Sequence, residues 1–597
     1  MMSQVREHRQ DLLQRLPRLR LLFLALVSLV AIRFWFVQGV RGDYYRELAE
    51  NNRMRTVVLK APRGLIHERN GNLLVENVPA YNLIIDRTRS ADVAQSLAFA
   101  AATLERPVME LQEALNRQPG KSFFQPVLIA ENLSLSQVAR FSVTALEHPE
   151  FEIEVGHLRL YRYGPSTAHL LGYLGEVTEK ELAQPESPYR GGDLIGRKGI
   201  EEAYNGELRG VDGERIVIVD SRGRPKEDYR FEPSDPGQRL DLALDLDLQQ
   251  EAARYFEGKT GAAVALDPET GEVRMLLSAP AYNPNLFSRR LEQKAWQELI
   301  EAPEHPLQDR ALQSAYSPGS VFKIVMAVGG LTEGTITESS KVYCPGATRI
   351  YNRRFRCWKR GGHGWMKLRE AIKQSCDVYF YHLGKDLGIT QIAHYARLFG
   401  YGRPTGIEIA GEKAGLVPDP QWSLEIRGTP WYPGETISVS IGQGPVLVTP
   451  LQLSTMMAAV ANGGFRTIPK VAKLSERPSF EPIGVNAAAL EAVRDALTAV
   501  VMEKGTGARA YVAGLEVAGK TGTVQVVRQT TWIKSEDLPY EQRDHAWFVS
   551  FARGGGKQLV VVVFVEHGGM GSRAAAPLAK RLYEIYFRDF LLSRQSS

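Results

Sequence analysis

The chain is poor in cysteine, with three in 597 residues, so disulfides do not staple its fold. It lacks a strong charge of either sign. The 73 Lys and Arg against 68 Asp and Glu leave +5, too little to argue for a nucleic-acid partner. It has no Walker-type or dinucleotide-binding glycine motif, which argues against nucleotide-driven chemistry. No 20–50-residue repeat is evident, which excludes solenoids and propellers. There is one long apolar stretch and no second of comparable length, which excludes a polytopic membrane protein. Hydrophobic residues at 44% and charged residues at 24% are ordinary for globular chains. The length allows about three to five folding units.

What charge there is sits at one end. Residues 1–20 carry +3 and residues 21–63 carry +4, which leaves −2 for the other 534. Residues 21–32 are uncharged, and beyond Arg33 the apolar run continues to Val37. That gives about 17 residues, the short end of a bilayer-spanning helix. Arg33 can snorkel to the headgroups, and Trp35 and Phe36 suit the interfacial belt. No small-x-small cleavage site follows, so the segment reads as an anchor rather than a removed signal peptide. Five arginines precede it, which sets the N-terminus in the cytoplasm and everything after about residue 42 outside. ATP and nicotinamide cofactors are scarce there, so energy-independent chemistry is favoured.

The exported part divides by texture. Residues 81–85 alternate as a strand, and 93–105 and 134–146 have helical periodicity. The polar, proline-bearing stretch 232–237 marks a boundary. A helix is expected over 248–256, and strands over 261–267 and 272–278 around the turn sequence Asp267-Pro268-Glu269-Thr270-Gly271. Residues 558–566 read as a buried strand and 577–590 as an amphipathic helix. Strands first, helices in the middle, then strands and a helix suggest a mixed α/β domain whose termini meet in one sheet.

Three short motifs carry nucleophile chemistry. In Ser320-Val321-Phe322-Lys323, at an expected helix start, i and i+3 share a face, so the serine hydroxyl and the lysine amine can meet. A serine needs a group to take its proton, and a lysine of depressed pKa can do so. Alone the motif is weak, since a chain of this length holds about one or two by chance. Ser375-Cys376-Asp377 opens a helical stretch over 378–387, where a serine alone suggests only an N-cap. Lys520-Thr521-Gly522-Thr523 lies in an expected strand whose glycine suits a close-approaching backbone. A peptide-like substrate can add beside such a strand, with the lysine and threonine on its carboxylate.

In this order and spacing the three resemble the catalytic set of the penicillin-interacting serine acyltransferases. The wider sequence resembles the class B penicillin-binding proteins along nearly its whole exported length. Arg63-Gly64-Leu65-Ile66-His67-Glu68-Arg69-Asn70-Gly71 is similar to the first pedestal motif, with Glu68 where aspartate is usual. Gly196-Arg197-Lys198-Gly199-Ile200-Glu201 with Leu208-Arg209-Gly210 resembles a second. Asp245 to Gln249 resembles the entry to the transpeptidase domain, and Asp544 to Phe548 the strand beside Lys-Thr-Gly. Asp377 replaces the asparagine of the broad class. With Gly362-His363-Gly364 and residues 431–444 (WYPGETISVSIGQG), it resembles the cell-elongation branch. Asp309 stands where many relatives have asparagine.

The resemblance implies a tail over 1–20, a transmembrane helix over 21–41 and a β-rich, dimerisation-type pedestal over 42–245. A penicillin-binding transpeptidase domain, an antiparallel sheet flanked by helices, is implied over 246–592, with a tail over 593–597. It implies an inner-membrane, single-pass enzyme with a periplasmic catalytic domain that cross-links peptidoglycan stem peptides. Ser320 is the implied nucleophile and Lys323 its proton acceptor. Ser375 bridges Lys323 and Lys520 and passes a proton to the leaving D-alanine, and Asp377 holds that network. Lys520 and Thr521 take the terminal carboxylate, Gly522 and Thr523 continue the substrate strand, and the Ser320 and Thr523 N–H groups form the oxyanion hole. No catalytic cofactor is implied. The implied partners are stem peptides, β-lactams, a SEDS-family glycosyltransferase and other elongation-complex membrane proteins. The alternatives are a scaffold that activates the glycosyltransferase, a D,D-carboxypeptidase, and a β-lactamase or β-lactam sensor. The last has no need of a pedestal.

The cysteines pose a separate question. Cys344, Cys357 and Cys376 fall within 33 residues, a clustering expected by chance about once in a hundred, with His363 between the last two. Cys₃His is a closed structural zinc set, although the spacing is looser than a zinc finger. A disulfide with a spare thiol, or three free buried thiols, are the alternatives. If Ser375 and Asp377 face a cleft, Cys376 should face away, and a metal there would pin the middle motif from behind.

Overall fold

The computed structural model describes residues 2–41, 54–116, 126–185, 187–219, 225–289, 291, 293–476, 478–527 and 535–595. The expected start of the pedestal at 42–53 and the last two residues of the tail lie outside these. Helix α1 (Met2–Trp35) continues as a π-helical turn, Phe36–Val40. Within it, Leu19–Val40 is the one segment among the described residues long and apolar enough to cross a membrane, with mean hydropathy 2.1.

Contacts divide the chain into two compact units. The first takes Met1–Pro62, Pro79–Gly156 and Gly210–Pro236. In it Met54–Leu59, Gly213–Val219 and Pro225–Glu232 form a three-stranded antiparallel sheet. Helix Val93–Leu104 starts where the Asp92 carboxylate accepts the Ala94 and Gln95 N–H groups, and it ends at Glu105 in the left-handed region. Helix Leu135–Thr144 starts at a capping box between Ser134 and Gln137. Leu97, Ala100 and Leu104 share a face at helical spacing and pack with Leu83, Ile85, Val127 and Phe141.

The second unit takes Arg63–Val78, His157–Arg209 and Gly237–Ser597. Its centre is a five-stranded antiparallel sheet built from β1 (Gly261–Leu266), β2 (Val273–Ala279), β3 (Glu516–Val524), β4 (His545–Gly554) and β5 (Lys557–Val565). Their order is β2-β1-β5-β4-β3, so β3 is an edge. The β1–β2 hairpin turns where the Asp267 carboxylate accepts the Glu269 and Thr270 N–H groups. Ala263 pairs with Val563, so the two ends of the domain meet in one sheet, as the pattern predicts. The unbroken apolar runs of β1 and β5 are buried over Gly261–Leu266 and from Leu559 to Val565, which fits strands covered on both faces.

Five helices matter to the site: α2 (Lys323–Thr332), α3 (Asp377–Leu398), α4 (Pro450–Ala461), α5 (Ala487–Met502) and α6 (Ala576–Tyr586). α4 and α6 pack on the central strands, α5 on the edge strand β3, and α2 on α3. α3 runs well past the helix predicted over 378–387, but Gly388 at φ 76° breaks it into two. The predicted terminal helix over 577–590 stops at Tyr586 and a second begins at Arg588.

The two pedestal motifs meet inside this unit as a buried ion array. Arg63 Nε donates to Glu201 Oε2 at 2.6 Å and Arg159 Nε to Oε1 at 2.8 Å. Arg159 Nη1 also reaches Asn77 Oδ1 at 3.0 Å. Burial pushes the Glu201 carboxyl up, but Arg159 and Arg63 outweigh it and hold it below its ordinary value.

Candidate active site

Ser320 lies in a 3₁₀ turn, Gly319–Phe322, that runs into α2. The turn is tightly seated. Gly319 has φ 54°, and a side chain there would press on Thr523 O at 3.0 Å and Val524 Cγ2 at 2.9 Å. Gly522 in β3 faces the same turn, where an added Cβ would meet Val321 Cγ2 at 3.1 Å and Pro318 O at 3.2 Å. Both glycines therefore let the edge strand lie directly on the nucleophile's turn. From β4, Trp547 Nε1 donates to Ser317 O at 3.1 Å and fixes the segment from behind.

Ser375 links helix Leu368–Lys373 to α3 and holds φ 54°, a conformation rare for a non-glycine residue. The Cys376 N–H donates to Ala371 O at 2.8 Å, closing the helix end. Cys376, rather than Ser375, occupies the N-cap position of α3, with no side-chain cap. The left-handed turn brings Ser375 and Asp377 to the buried amines of both lysines.

Lys323 Nζ donates to Asp377 Oδ1 at 2.6 Å, Ser375 O at 3.1 Å and Ser375 Oγ at 3.3 Å. Lys520 Nζ donates to Ser375 Oγ at 2.8 Å and Thr521 O at 3.1 Å. One hydroxyl thus bridges two fully buried lysines. Burial, and then the charge of Lys323, push Lys520 well below its ordinary value, against the pull of Asp377. Ser320 Oγ makes no hydrogen bond to the described residues. Helical spacing predicts that it meets Lys323 Nζ, but Asp377 and Ser375 draw that amine to themselves.

Sequence reasoning missed two residues here. Thr521 Oγ1 donates to Thr506 Oγ1 at 2.9 Å, and Thr506 belongs to no motif. The Trp358 N–H donates to Asp377 Oδ2 at 2.9 Å, so the carboxylate is held from two sides. The only signal was that Trp358 follows Cys357.

A single family model spans residues 261–584, described as the penicillin-binding protein transpeptidase domain. It covers more than half of the chain, including all three motifs. The chain belongs to this family. A second model, the penicillin-binding protein dimerisation domain, matches residues 58–242. The peptidoglycan D,D-transpeptidase MrdA of Haemophilus influenzae is 34% identical over 95% of this chain and 91% of its own length. A complex of Helicobacter pylori PBP2 with MreC superposes with a TM-score of 0.80 at 27% identity, over 89% of this chain and 99% of the other. A peptidoglycan synthase complex, solved for the coordination of polymerization and crosslinking, contains a chain with TM-score 0.72 and 30% identity. That match covers 96% of this chain and 98% of the other. The penicillin-binding fold expected from the motifs, mixed α/β with a dimerisation-type domain before an antiparallel transpeptidase sheet, is thereby established. The apolar N-terminal helix and these relatives together fit a single-pass inner-membrane protein.

Behind the middle motif the four soft donors come together. One donor atom from each of Cys344, Cys357, His363 and Cys376 lies within 4.8 Å of the others. All three cysteines are buried and none is in a disulfide. His363 Nδ1 is 3.6 Å from both Cys344 Sγ and Cys357 Sγ. A hydrogen bond from Cys376 pulls the Cys357 thiol below its ordinary value, and the Cys376 thiol rises in exchange.

Proposed function

We propose that this penicillin-binding transpeptidase cross-links peptidoglycan stem peptides during cell elongation through an acyl-enzyme on Ser320. The observation that carries the assignment of roles is the bridging of Lys323 and Lys520 by Ser375 Oγ, beside an edge strand seated on the Ser320 turn. A stem peptide adds along β3, with its terminal carboxylate on Lys520 and Thr521 and its backbone along Gly522 and Thr523. Ser320 attacks the carbonyl of the penultimate D-alanine, and Lys323 accepts the serine proton. The N–H groups of Ser320 and Thr523 stabilise the oxyanion, a contribution of about 10²–10³ in rate per donor. Ser375 relays a proton to the leaving D-alanine, and Asp377 keeps Lys323 and Ser375 in register. An amine of a second stem peptide then takes the acyl group. The cleaved peptide bond supplies the energy, so no nucleotide is needed. A β-lactam acylates Ser320 by the same attack.

The five arginines that precede the apolar run beginning at Leu21 favour a cytoplasmic N-terminus and a periplasmic catalytic unit. The solved relatives with MreC and in a peptidoglycan synthase complex favour partners of the same kind here, and the SEDS-family glycosyltransferase implied by the sequence resemblance is the polymerising partner we propose. The test is transfer: with uncross-linked strands, the full chain should release D-alanine and form cross-linked dimers. D-alanine release without dimers would make it a carboxypeptidase, and neither product would leave the scaffold reading.

We further propose that Cys344, Cys357, His363 and Cys376 hold a structural zinc ion. The donor set is tetrahedral in type, with its three thiols buried and His363 half-buried, and its four ligands would leave no open position for catalysis. When bound, the ion would fix the segment before α3 by tying Cys376 to the 344–363 stretch, which also carries Trp358 to Asp377. Purified protein should contain one zinc per chain, and chelation should lower its melting temperature. Absence of stoichiometric metal, or a quantitative disulfide, would overturn this.

A further inference from the structure

The stretch that carries three of these four donors has a second character that neither acylation nor a metal explains. Residues 341–367 hold eight lysines and arginines and no aspartate or glutamate. They fold as two small antiparallel ribbons, Val342–Cys344 with Gly364–Met366 and Ala347–Ile350 with Arg353–Arg356. The inner face of the second ribbon packs on α3. Ile350 is buried, Thr348 Oγ1 is 3.2 Å from His382 Nε2, and the Phe355 and Tyr381 rings are 5.4 Å apart. That docking turns Arg349 and Arg354 outward, directly opposite each other across the ribbon. Like charges in that relation destabilise a strand pair. Neither arginine joins an ion pair with any described residue, and both are exposed.

Beside the arginines lies exposed aromatic surface. Tyr343 and Trp365 face each other across the first ribbon with rings 5.4 Å apart, and Trp365 is 66% exposed. Trp358 is 49% exposed, although its N–H is bound to Asp377. A flat aromatic surface suits the C–H faces of sugars, and facing cations suit carboxylates.

We infer that this basic, aromatic flap binds a peptidoglycan strand, its sugars on Tyr343 and Trp365 and the free carboxylates of its stem peptides on Arg349 and Arg354. The inference rests on the transpeptidase reading and names where that enzyme holds its polymer outside the acylation centre. Charge complementarity selects the occupant: an anion between the facing arginines relieves their repulsion, and the aromatic pair beside them favours a ligand larger than a free ion. An anionic membrane surface offers the charge without the sugar.

The experiment uses the full chain in neutral-lipid nanodiscs. The probes are glycan strands with intact stem peptides, the same strands stripped of peptides, and phosphatidylglycerol vesicles as competitor. R349Q/R354Q should weaken binding of intact strands about tenfold, with little effect on stripped ones. The same variant should melt at a higher temperature than wild type, because the repulsion is gone, and its labelling by penicillin should be unchanged. R349K/R354K should keep most of the binding. Undiminished binding by the glutamine variant, equal losses on intact and stripped strands, or full displacement by the vesicles would each overturn the inference. Failure of penicillin labelling in wild type would instead count against the acyl-enzyme, since strand binding is read without it.

Discussion

The larger unit contains two buried ion arrays built on the same plan from different cations. Around Glu201 stand Arg63 and Arg159, and around Asp377 and Ser375 stand Lys323 and Lys520. Each gathers two basic side chains in a dry interior, both directly on the carboxylate in the first, one on the carboxylate and one on the Ser375 hydroxyl in the second. Arginine stays protonated and presents a fixed fork, so the first array can only hold. Lysine is a point charge that gives up its proton when desolvated, and Lys520 is pushed in that direction. The second array can therefore hold and also move a proton. The carboxylates differ as well. Both Glu201 oxygens are taken by guanidinium groups, whereas Asp377 gives one oxygen to Lys323 and the other to the Trp358 backbone.

The comparison breaks most sharply at the cation. Lys323→Arg keeps the charge and removes the transferable proton. Penicillin acylation should fall about 10³-fold, the scale of a lost general base, while the protein still folds. A variant that acylates normally would erase the distinction between the arrays. Glu201→Gln should do the reverse. Two buried arginines lose their counter-charge, so stability should drop by about 3–5 kcal/mol in denaturant melts, while the folded fraction acylates at the wild-type rate. A large loss of acylation in protein shown to be folded would mean that the arginine array also serves the chemistry.

The smallest effect concerns pH. Glu201 is held below its ordinary value of 4.5 in the folded chain, so its contribution is complete above that pH and is lost as pH falls through the folded value. The stability gap between wild type and Glu201→Gln should therefore be widest near neutrality and narrow below pH 4.5. A gap constant down to strong acid would show that the carboxylate is not linked to folding.

Much of this was legible because the signals were local. The turn at Asp267 to Gly271, the apolar run of β5 and the caps at Asp92 and Ser134 each follow from a few adjacent residues. The three motifs were legible as residue types at set spacings, and the cysteine cluster as an improbable clustering. What was hidden depends on tertiary approach. The left-handed Ser375 has no marker such as glycine, so the sequence suggested a simple N-cap there. Thr506 is brought to Thr521 by packing alone, and helical spacing pairs Lys323 with Ser320 because it carries no trace of Asp377 at the start of the neighbouring helix α3. The facing arginines of the flap become visible only with the ribbon register.

The nucleophile itself is the most direct point of attack. Labelled penicillin should give one covalent adduct per chain, located by mass spectrometry on the peptide containing Ser320, and none in Ser320→Ala of equal melting temperature. Folded wild-type protein without an adduct, or an adduct that persists in Ser320→Ala, would contradict the assignment.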